Sequence, residues 1–148
     1  MNNRIHVASA VTAAFGINTL ANSMSLESNL IALFAGSIVG SIIPDIDTPK
    51  SRIGKILRPI STIIKKTVGH RTFFHSFLFT AIVGIILALF NYSLGIGFVV
   101  GMLSHILLDI LTPGTYGVAI LYPFYKKRMF VMAYKPASKY RHTIKSNK

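Results

Sequence analysis

Long apolar segments with almost no charge are the feature that most limits what this chain can fold into. Four stand out, at about residues 5–21, 30–43, 73–92 and 94–111. A helix needs about 20 residues to cross a bilayer, with a range of about 17 to 25. Only 14% of the residues are charged, against roughly 25% in soluble domains. We therefore expect an all-α, polytopic integral membrane protein with about four transmembrane helices, of which the first two are short or tilted.

The connections between these segments differ in length and charge. Segments three and four are separated only by residues 91–93, which predicts a tight helical hairpin. The loop at 48–72 is long and basic, and over 53–68 its apolar residues recur at helical spacing. This pattern predicts an amphipathic helix that lies on the lipid headgroups. We divide the chain into a helical membrane domain, 1–125, and a basic tail, 126–148.

The basic residues are concentrated in regions that a four-pass topology places on one side. Of the 16 Lys and Arg residues, seven lie between Lys50 and Arg71, eight lie between Lys126 and Lys148, and one is Arg4. The other two loops carry none, so the positive-inside rule puts both termini in the cytoplasm. Attraction to anionic headgroups accounts for the net charge of +12. Membrane lipid is therefore the expected partner, and nucleic acid is not.

Segment two carries a small-residue face formed by Gly36 and Gly40. Glycines at this spacing let two membrane helices approach closely. The partner helix could belong to the same chain or to a second copy, so a homo-oligomer is left open.

Most of the histidines and acidic residues map to the cytoplasmic ends of the segments. Seven of them are expected at a similar depth: His6, Asp45, Asp47, His70, His75, His105 and Asp109. His105 and Asp109 are four residues apart, so on a helix they share one face. They can present two ligands to one ion, or one ligand and the carboxylate that orients it. Asp109 lies in an apolar stretch, where an ionised group costs roughly 2.5–3.5 kcal/mol, so it should be paired, face a polar cavity or bind metal.

The chemistry of these side chains limits the kind of metal site. The chain has no cysteine, so any metal is held by nitrogen and oxygen ligands, which suit zinc, manganese or ferrous iron without discriminating sharply among them. Zinc is the metal that we expect. Seven candidates exceed the three or four ligands of one catalytic zinc, so we expect one or two ions. Pro44 and Pro49 predict an exposed turn at 43–48 that projects Asp45 and Asp47. Purely structural roles stay open, including an Asp47 cap and an ion pair between Asp45 and Arg71.

The motifs resemble a known family when they are taken in order. They are His6, then Pro44-Asp45-Ile46-Asp47, then His70-Arg71-Thr72-Phe73-Phe74-His75-Ser76, then residues 104–114, SHILLDILTPG, and then Tyr122-Pro123-Phe124. This arrangement, over about residues 1–125, resembles the YdjM-like family of predicted membrane-bound metal-dependent hydrolases of the bacterial inner membrane. The basic tail of this chain is short, which leaves little material for a cytosolic substrate domain.

The resemblance implies roles for individual residues. The implied metal ligands are His6, Asp45, His75, His105 and Asp109. His70 and Arg71 would contact substrate or assist proton transfer, and we add Asp47 as a second candidate for the proton-transfer group. The leading hypothesis is a metal-dependent hydrolase that acts on a phosphoester or related bond of a lipid at the cytoplasmic leaflet. The alternatives are a metal or proton carrier and a non-enzymatic, holin-like membrane protein.

Overall fold

The computed structural model describes residues 3–112 and 117–129. Pro113, Gly114 and the tail from residue 130 onward lie outside the described residues, and the predicted boundary at residue 125 stays a prediction. The described part is helical, and its one extended pairing is a bridge between Val118 and Met129. The helices are α1 (Asn3–Ser23), α2 (Leu30–Ile42), a 3₁₀ helix (Ile43–Asp47), α3 (Arg52–Ile56), α4 (Arg58–Thr67), a second 3₁₀ helix (Phe73–His75), α5 (Phe77–Phe90) and α6 (Tyr92–Leu111).

Side-chain caps fix where four of these helices begin, including α3, which is capped by Ser51. Asn29 accepts a hydrogen bond from a backbone N–H in the first turn of α2, and Ser76 does the same for α5. Asn91 ends α5 and also caps α6, where its side chain accepts from the N–H of Leu94. The predicted hairpin is therefore present, and one residue connects its helices instead of three.

The amphipathic helix predicted at 53–68 is two helices, α3 and α4, which are separated at Leu57. Pro59 explains the interruption because proline has no N–H to donate and fits only the first turn of a helix. On α4, Ile60 and Ile63 are exposed on a helix that also carries Lys65 and Lys66. The loop thus has the predicted mixture of apolar and basic residues, but it forms two short helices and not one continuous helix.

The contact between α2 and α6 is built on glycine. A Cβ atom added at any of four positions would overlap the backbone of the facing helix: Gly36, Gly40, Gly97 and Gly101. Helices approach this closely only where side chains are absent. The small-residue face predicted at Gly36 and Gly40 is therefore used within the chain, and it packs α6 directly against α2, which leads into the 3₁₀ helix that carries Asp45 and Asp47.

Gly101→Ala is expected to lower the melting temperature of the protein in detergent. The new Cβ would overlap the carbonyl oxygen of Ser37, which cannot rotate away, so the helices must separate at a cost of about 1–3 kcal/mol. Gly16→Ala is the matched control, because a Cβ there meets nothing within 4 Å. Alanine also favours a helix over glycine by about 1 kcal/mol, so the control should melt at the same temperature or higher. Equal losses in the two variants would contradict the close packing.

Two stretches of the described residues are long and apolar enough to cross a membrane: Leu30–Asp47, with 18 residues, and Tyr92–Leu111, with 20 residues. This is fewer than the four predicted from the sequence. Helix α5 is apolar but has only 14 residues, and α1 has sufficient length at 21 residues but is less apolar. Residues 3–112 and 117–129 thus have a helical architecture with two candidate membrane spans and a shorter apolar helix.

Candidate metal centre

Asp109 is the centre of a cluster that the helix ends bring together. It lies on the last turns of α6, and three imidazole nitrogens surround its carboxylate. The Nε2 atoms of His6, His75 and His105 lie 3.8, 3.3 and 3.6 Å from its oxygens. His6 comes from the start of α1 and His75 from the 3₁₀ helix before α5, and all four side chains are buried. Residues that are far apart in the sequence therefore meet at one end of the helices.

The orientation of His105 leaves one ring nitrogen available to a ligand. Its Nδ1 lies 2.6 Å from the carbonyl oxygen of Ser41, and since a carbonyl can only accept, Nδ1 carries the hydrogen. Its Nε2 is buried with no hydrogen-bond partner and lies 4.0 Å from Asp45 Oδ1. This is the arrangement usual for metal-binding histidines, in which a backbone carbonyl fixes the tautomer. The ring also stacks on His6, with 3.9 Å between centroids.

Three residues of the cluster form a group that could hold a metal ion. His6, His105 and Asp109 each offer one ligand atom, and these atoms all lie within 4.8 Å of one another. The Nδ1 atom of His6 and the Nε2 atom of His105 are buried without a hydrogen-bond partner, although such groups are normally satisfied. Unpartnered imidazole nitrogens beside a buried carboxylate are the donor set that zinc, manganese or ferrous iron accepts. The residues present therefore fit a divalent cation.

Arg71 lies against the same carboxylate. Its Nη2 donates to Asp109 Oδ1 at 2.7 Å, whereas His75 and His105 face Oδ2. The pairing of Arg71 with Asp45 that the sequence left open is not the one observed. Arg71 also has a positive φ of 58°, a conformation that is uncommon for a long side chain and costs of order 1–3 kcal/mol.

Asp47 fixes this backbone conformation and also contacts His70. Its Oδ2 accepts the backbone N–H of Arg71 at 2.8 Å, and its Oδ1 lies 2.6 Å from His70 Nδ1. The Thr48 hydroxyl donates to Asp47 Oδ1 at 3.0 Å. The predicted exposed turn at 43–48 is wrong for Asp47, which is 0% exposed in a 3₁₀ helix. The carboxylate is buried because these donors replace the hydrogen bonds of water.

His75 lies between the two carboxylates and is fully buried. Its Nδ1 is 3.3 Å from Asp47 Oδ2 and its Nε2 is 3.3 Å from Asp109 Oδ2. Burial lowers the pKa of His75, but the neighbouring carboxylates of Asp109 and Asp47 outweigh burial and raise the pKa above its ordinary value. Without a metal, a proton on His75 would therefore balance two buried negative charges. His75 connects the Asp109 centre to the Asp47 and His70 pair.

All eight residues predicted for the site belong to one continuous cluster. They are His6, Asp45, Asp47, His70, Arg71, His75, His105 and Asp109. Their individual roles stay predictions. Asp45 is the most exposed of the three aspartates in the cluster, with a side chain 19% exposed. The His70 side chain is 39% exposed, so this imidazole combines a buried partner with access from outside.

Sequence reasoning missed two participants and the contact that a third one makes. The Ser41 carbonyl that orients His105 left no signal, because any residue supplies a carbonyl. Thr48 follows Asp47 directly, so its hydroxyl could have been suspected. Arg128 donates to the carbonyl oxygen of His70 at 3.1 Å. From the sequence, the basic run at 126–128 is interpreted first as an interfacial membrane anchor and second as a group of cations that steers phosphate, and neither interpretation predicts the contact with His70.

Together, the apolar helices and the buried His–His–Asp group define a small helical membrane protein with a centre that could hold a metal ion. The chain belongs to the family described as YdjM inner membrane protein, whose model matches residues 1–144. It is 35% identical over 125 residues to the inner membrane protein YdjM of Escherichia coli, which covers 78% of this chain and 61% of the relative. The same values hold for YdjM of Shigella flexneri.

A third relative is the uncharacterized protein YvsG of Bacillus subtilis, which is 35% identical over 95 residues, or 63% of this chain and 58% of the relative. The chain thus spans about 60% of the length of the curated relatives it matches. No solved structure matches it.

Proposed function

We propose that this protein is a membrane-bound, metal-dependent hydrolase that cleaves a phosphoester or related bond of a lipid at the cytoplasmic leaflet. One observation carries the proposal. The Nε2 atoms of His75 and His105 are buried without hydrogen-bond partners and face the carboxylate of Asp109 at one end of apolar helices, and the Nδ1 atom of the neighbouring His6 is also buried and unpartnered. Buried polar groups left unpaired cost about 1–3 kcal/mol each, so a chain that keeps several together has a use for them.

The residues divide into those that would hold metal and those that would act on substrate. His6, His105 and Asp109 would be the first ligands, and Asp45 and His75 are the nearest additions if coordination expands or a second ion binds. A divalent ion supplies Lewis acidity and lowers the pKa of a bound water, to about 7 for zinc. Ser41 keeps the His105 ring in the tautomer that leaves Nε2 free to bind.

The pair formed by Asp47 and His70 suits proton transfer. If Asp47 accepts the hydrogen on Nδ1, Nε2 of His70 is the basic nitrogen, and the exposure of this side chain gives it access to solvent and substrate. A histidine oriented by a buried carboxylate is a common general base. Arg71 is fixed by Asp47 and Asp109, and it would stabilise the negative charge that develops on a phosphoryl group.

The surface of the helices supports a location in the membrane with the site at headgroup depth. Large apolar side chains are exposed on helices beyond the two candidate spans, including Phe15 on α1 and Leu89 and Phe90 on α5, which are 62%, 82% and 83% exposed. Patches of this kind mark membrane or partner contacts. We therefore propose that α1 and α5 also lie in the bilayer. The basic loop, which contains α4, would then face the cytoplasm and attract anionic lipid.

The test combines metal analysis of the purified full-length chain with turnover measured against a panel of phospholipids. The proposal expects at least one equivalent of a divalent metal per chain and release of a phosphorylated headgroup or phosphate from one lipid class. Turnover should stop when metal is removed by a chelator and return when it is added back. Stoichiometric metal without turnover of any lipid would contradict the proposed enzymatic activity and would favour a metal carrier instead.

A further inference from the structure

Arg128 is attached to the site by backbone contacts. Its Nη2 donates to the carbonyl oxygen of His70 at 3.1 Å, and its Nη1 donates to that of Gly117 at 3.4 Å. The neighbouring residue Met129 exchanges two backbone hydrogen bonds with Val118, of 2.9 and 2.8 Å, and Val118 is part of the buried core. The position of this half-buried guanidinium is therefore set by the fold.

The hydrogen-bond donors of Arg128 are only partly used. An arginine side chain carries five N–H donors, and two of those on Arg128 reach carbonyl oxygens. Among residues 3–112 and 117–129, no carboxylate lies within ion-pair distance, 4.0 Å, of its nitrogens. A partly buried guanidinium whose hydrogen bonds go only to neutral carbonyl oxygens keeps its positive charge uncompensated and has N–H donors left to bind an anion.

Arg71 supplies a second guanidinium with free donors next to this one. It is about nine-tenths buried, it gives one N–H to Asp109, and its Nε is buried with no hydrogen-bond partner. Arg128 contacts the carbonyl of the residue directly before Arg71. Burial and then the charge of Arg71 lower the pKa of Arg128 from its ordinary value, while Asp47 raises it. The two cations therefore share one electrostatic environment.

We propose that Arg128 and Arg71 together form an oxyanion site that binds the phosphate group of the substrate, with Arg128 as the outer, specificity-determining arm. Guanidinium groups bind phosphate oxygens through pairs of parallel N–H bonds, and the free donors of the two side chains suit a tetrahedral oxyanion. The inference deepens the proposed function and rests on it for the identity of the substrate. It assigns a role to a residue beyond the motifs at residues 6–124.

Arg128→Gln is expected to weaken phosphate binding, whereas Lys127→Gln is the matched control. Both changes remove one positive charge from adjacent positions, but Lys127 is exposed and only Arg128 contacts the site. The full-length chain in detergent is titrated calorimetrically with inorganic phosphate and, separately, with dihexanoyl phosphatidic acid. We expect Kd to rise about tenfold or more in Arg128→Gln and less than about twofold in Lys127→Gln. Tighter binding of the lipid than of inorganic phosphate would identify a headgroup as the source of the anion.

Equal effects of the two variants would overturn the inference, because the contribution of Arg128 would then be general charge. If Arg128→Gln does not fold, Arg128→Lys takes its place. It keeps the charge but loses the paired N–H geometry, and a Kd equal to that of the wild type would overturn the inference as well. Metal content is measured on the same samples. If phosphate binding depends on Arg128 but the chain holds no metal, the oxyanion site stands and the proposed hydrolase is contradicted. If the chain holds metal and turns over lipid but phosphate binding does not depend on Arg128, the proposed hydrolase stands and the oxyanion site is contradicted.

Discussion

Asp109→Asn is expected to reduce the bound divalent metal from at least one equivalent per chain to background. The carboxylate of Asp109 faces the Nε2 atoms of His6, His75 and His105, all within 3.8 Å. It is therefore the group around which the other candidate ligands are arranged. The amide removes the negative charge and leaves one oxygen instead of two. Loss of supporting groups alone costs about 10–100-fold in metal affinity, so we expect about 100-fold or more for this ligand. Elemental analysis and competition with a chelator measure the change.

Glu27→Gln is the control for this substitution. Glu27 is the one acidic residue outside the predicted site, it is exposed, and it lies in the connection between α1 and α2. The same loss of charge there should leave metal content unchanged. Because Asp109→Asn also removes the partner of Arg71, its melting temperature must be measured. His105→Gln leaves that ion pair in place and should also lose the metal. A full equivalent of metal in both Asp109→Asn and His105→Gln would contradict the assigned centre.

His70→Gln is expected to lower kcat for lipid hydrolysis by about 100-fold or more while metal content stays at the level of the wild type. Glutamine can still hydrogen-bond to Asp47, but it cannot take up a proton near neutral pH. General-base catalysis contributes about 10²–10⁴-fold, and His70 is the histidine of the cluster that combines an exposed side chain with a carboxylate 2.6 Å away. KM should change little, because the loss falls on the chemical step.

Stability and metal content separate a proton-transfer role from a structural one. A structural role for His70 would lower the melting temperature or the metal content of His70→Gln together with kcat, whereas a proton-transfer role lowers kcat alone. His142→Gln is the comparison variant, because His142 belongs to none of the motifs. An unchanged kcat in His70→Gln would remove the proton-transfer assignment and leave the metal centre in place.

The convergence of the site could be predicted because it follows from helix direction. Alternating helices return to the same side of a membrane, so His6 at the start of one segment and Asp109 at the end of another fall at the same depth. The shared face of His105 and Asp109 follows from helical periodicity. Both inferences need only the positions of apolar segments, which hydropathy gives directly.

The pairing within the cluster could not be predicted in this way. Asp47 is buried because the N–H of Arg71 and the ring of His70 reach it from another loop, and no local pattern encodes that contact. Pro44 and Pro49 indicate that the chain leaves helix α2 and turns at this point, which is correct, but they give no information on whether the side chains of the turn are buried. The choice of Asp109 over Asp45 as the partner of Arg71 depends likewise on tertiary structure.

The described residues contain two candidate spans, fewer than the four predicted, for a related reason. Hydropathy located α1 and α5, but α5 has 14 residues and α1 is only moderately apolar. The apolar segment at 73–92 contains a 3₁₀ helix and a capping serine before α5 begins, so its length as an apolar run exceeds its length as a helix. Caps of this kind are visible in the sequence at Ser76 and Asn91, and they would have given better boundaries.

Anomalous diffraction from crystals of the full-length chain loaded with zinc tests the central claim most directly. The account predicts an anomalous peak within about 2.0–2.2 Å of His105 Nε2 and of ligand atoms from His6 and Asp109. It also predicts that His105 Nδ1 still donates its hydrogen bond to the carbonyl oxygen of Ser41. Zinc bound only elsewhere, or imidazoles of His6, His75 and His105 that point away from Asp109, would contradict it.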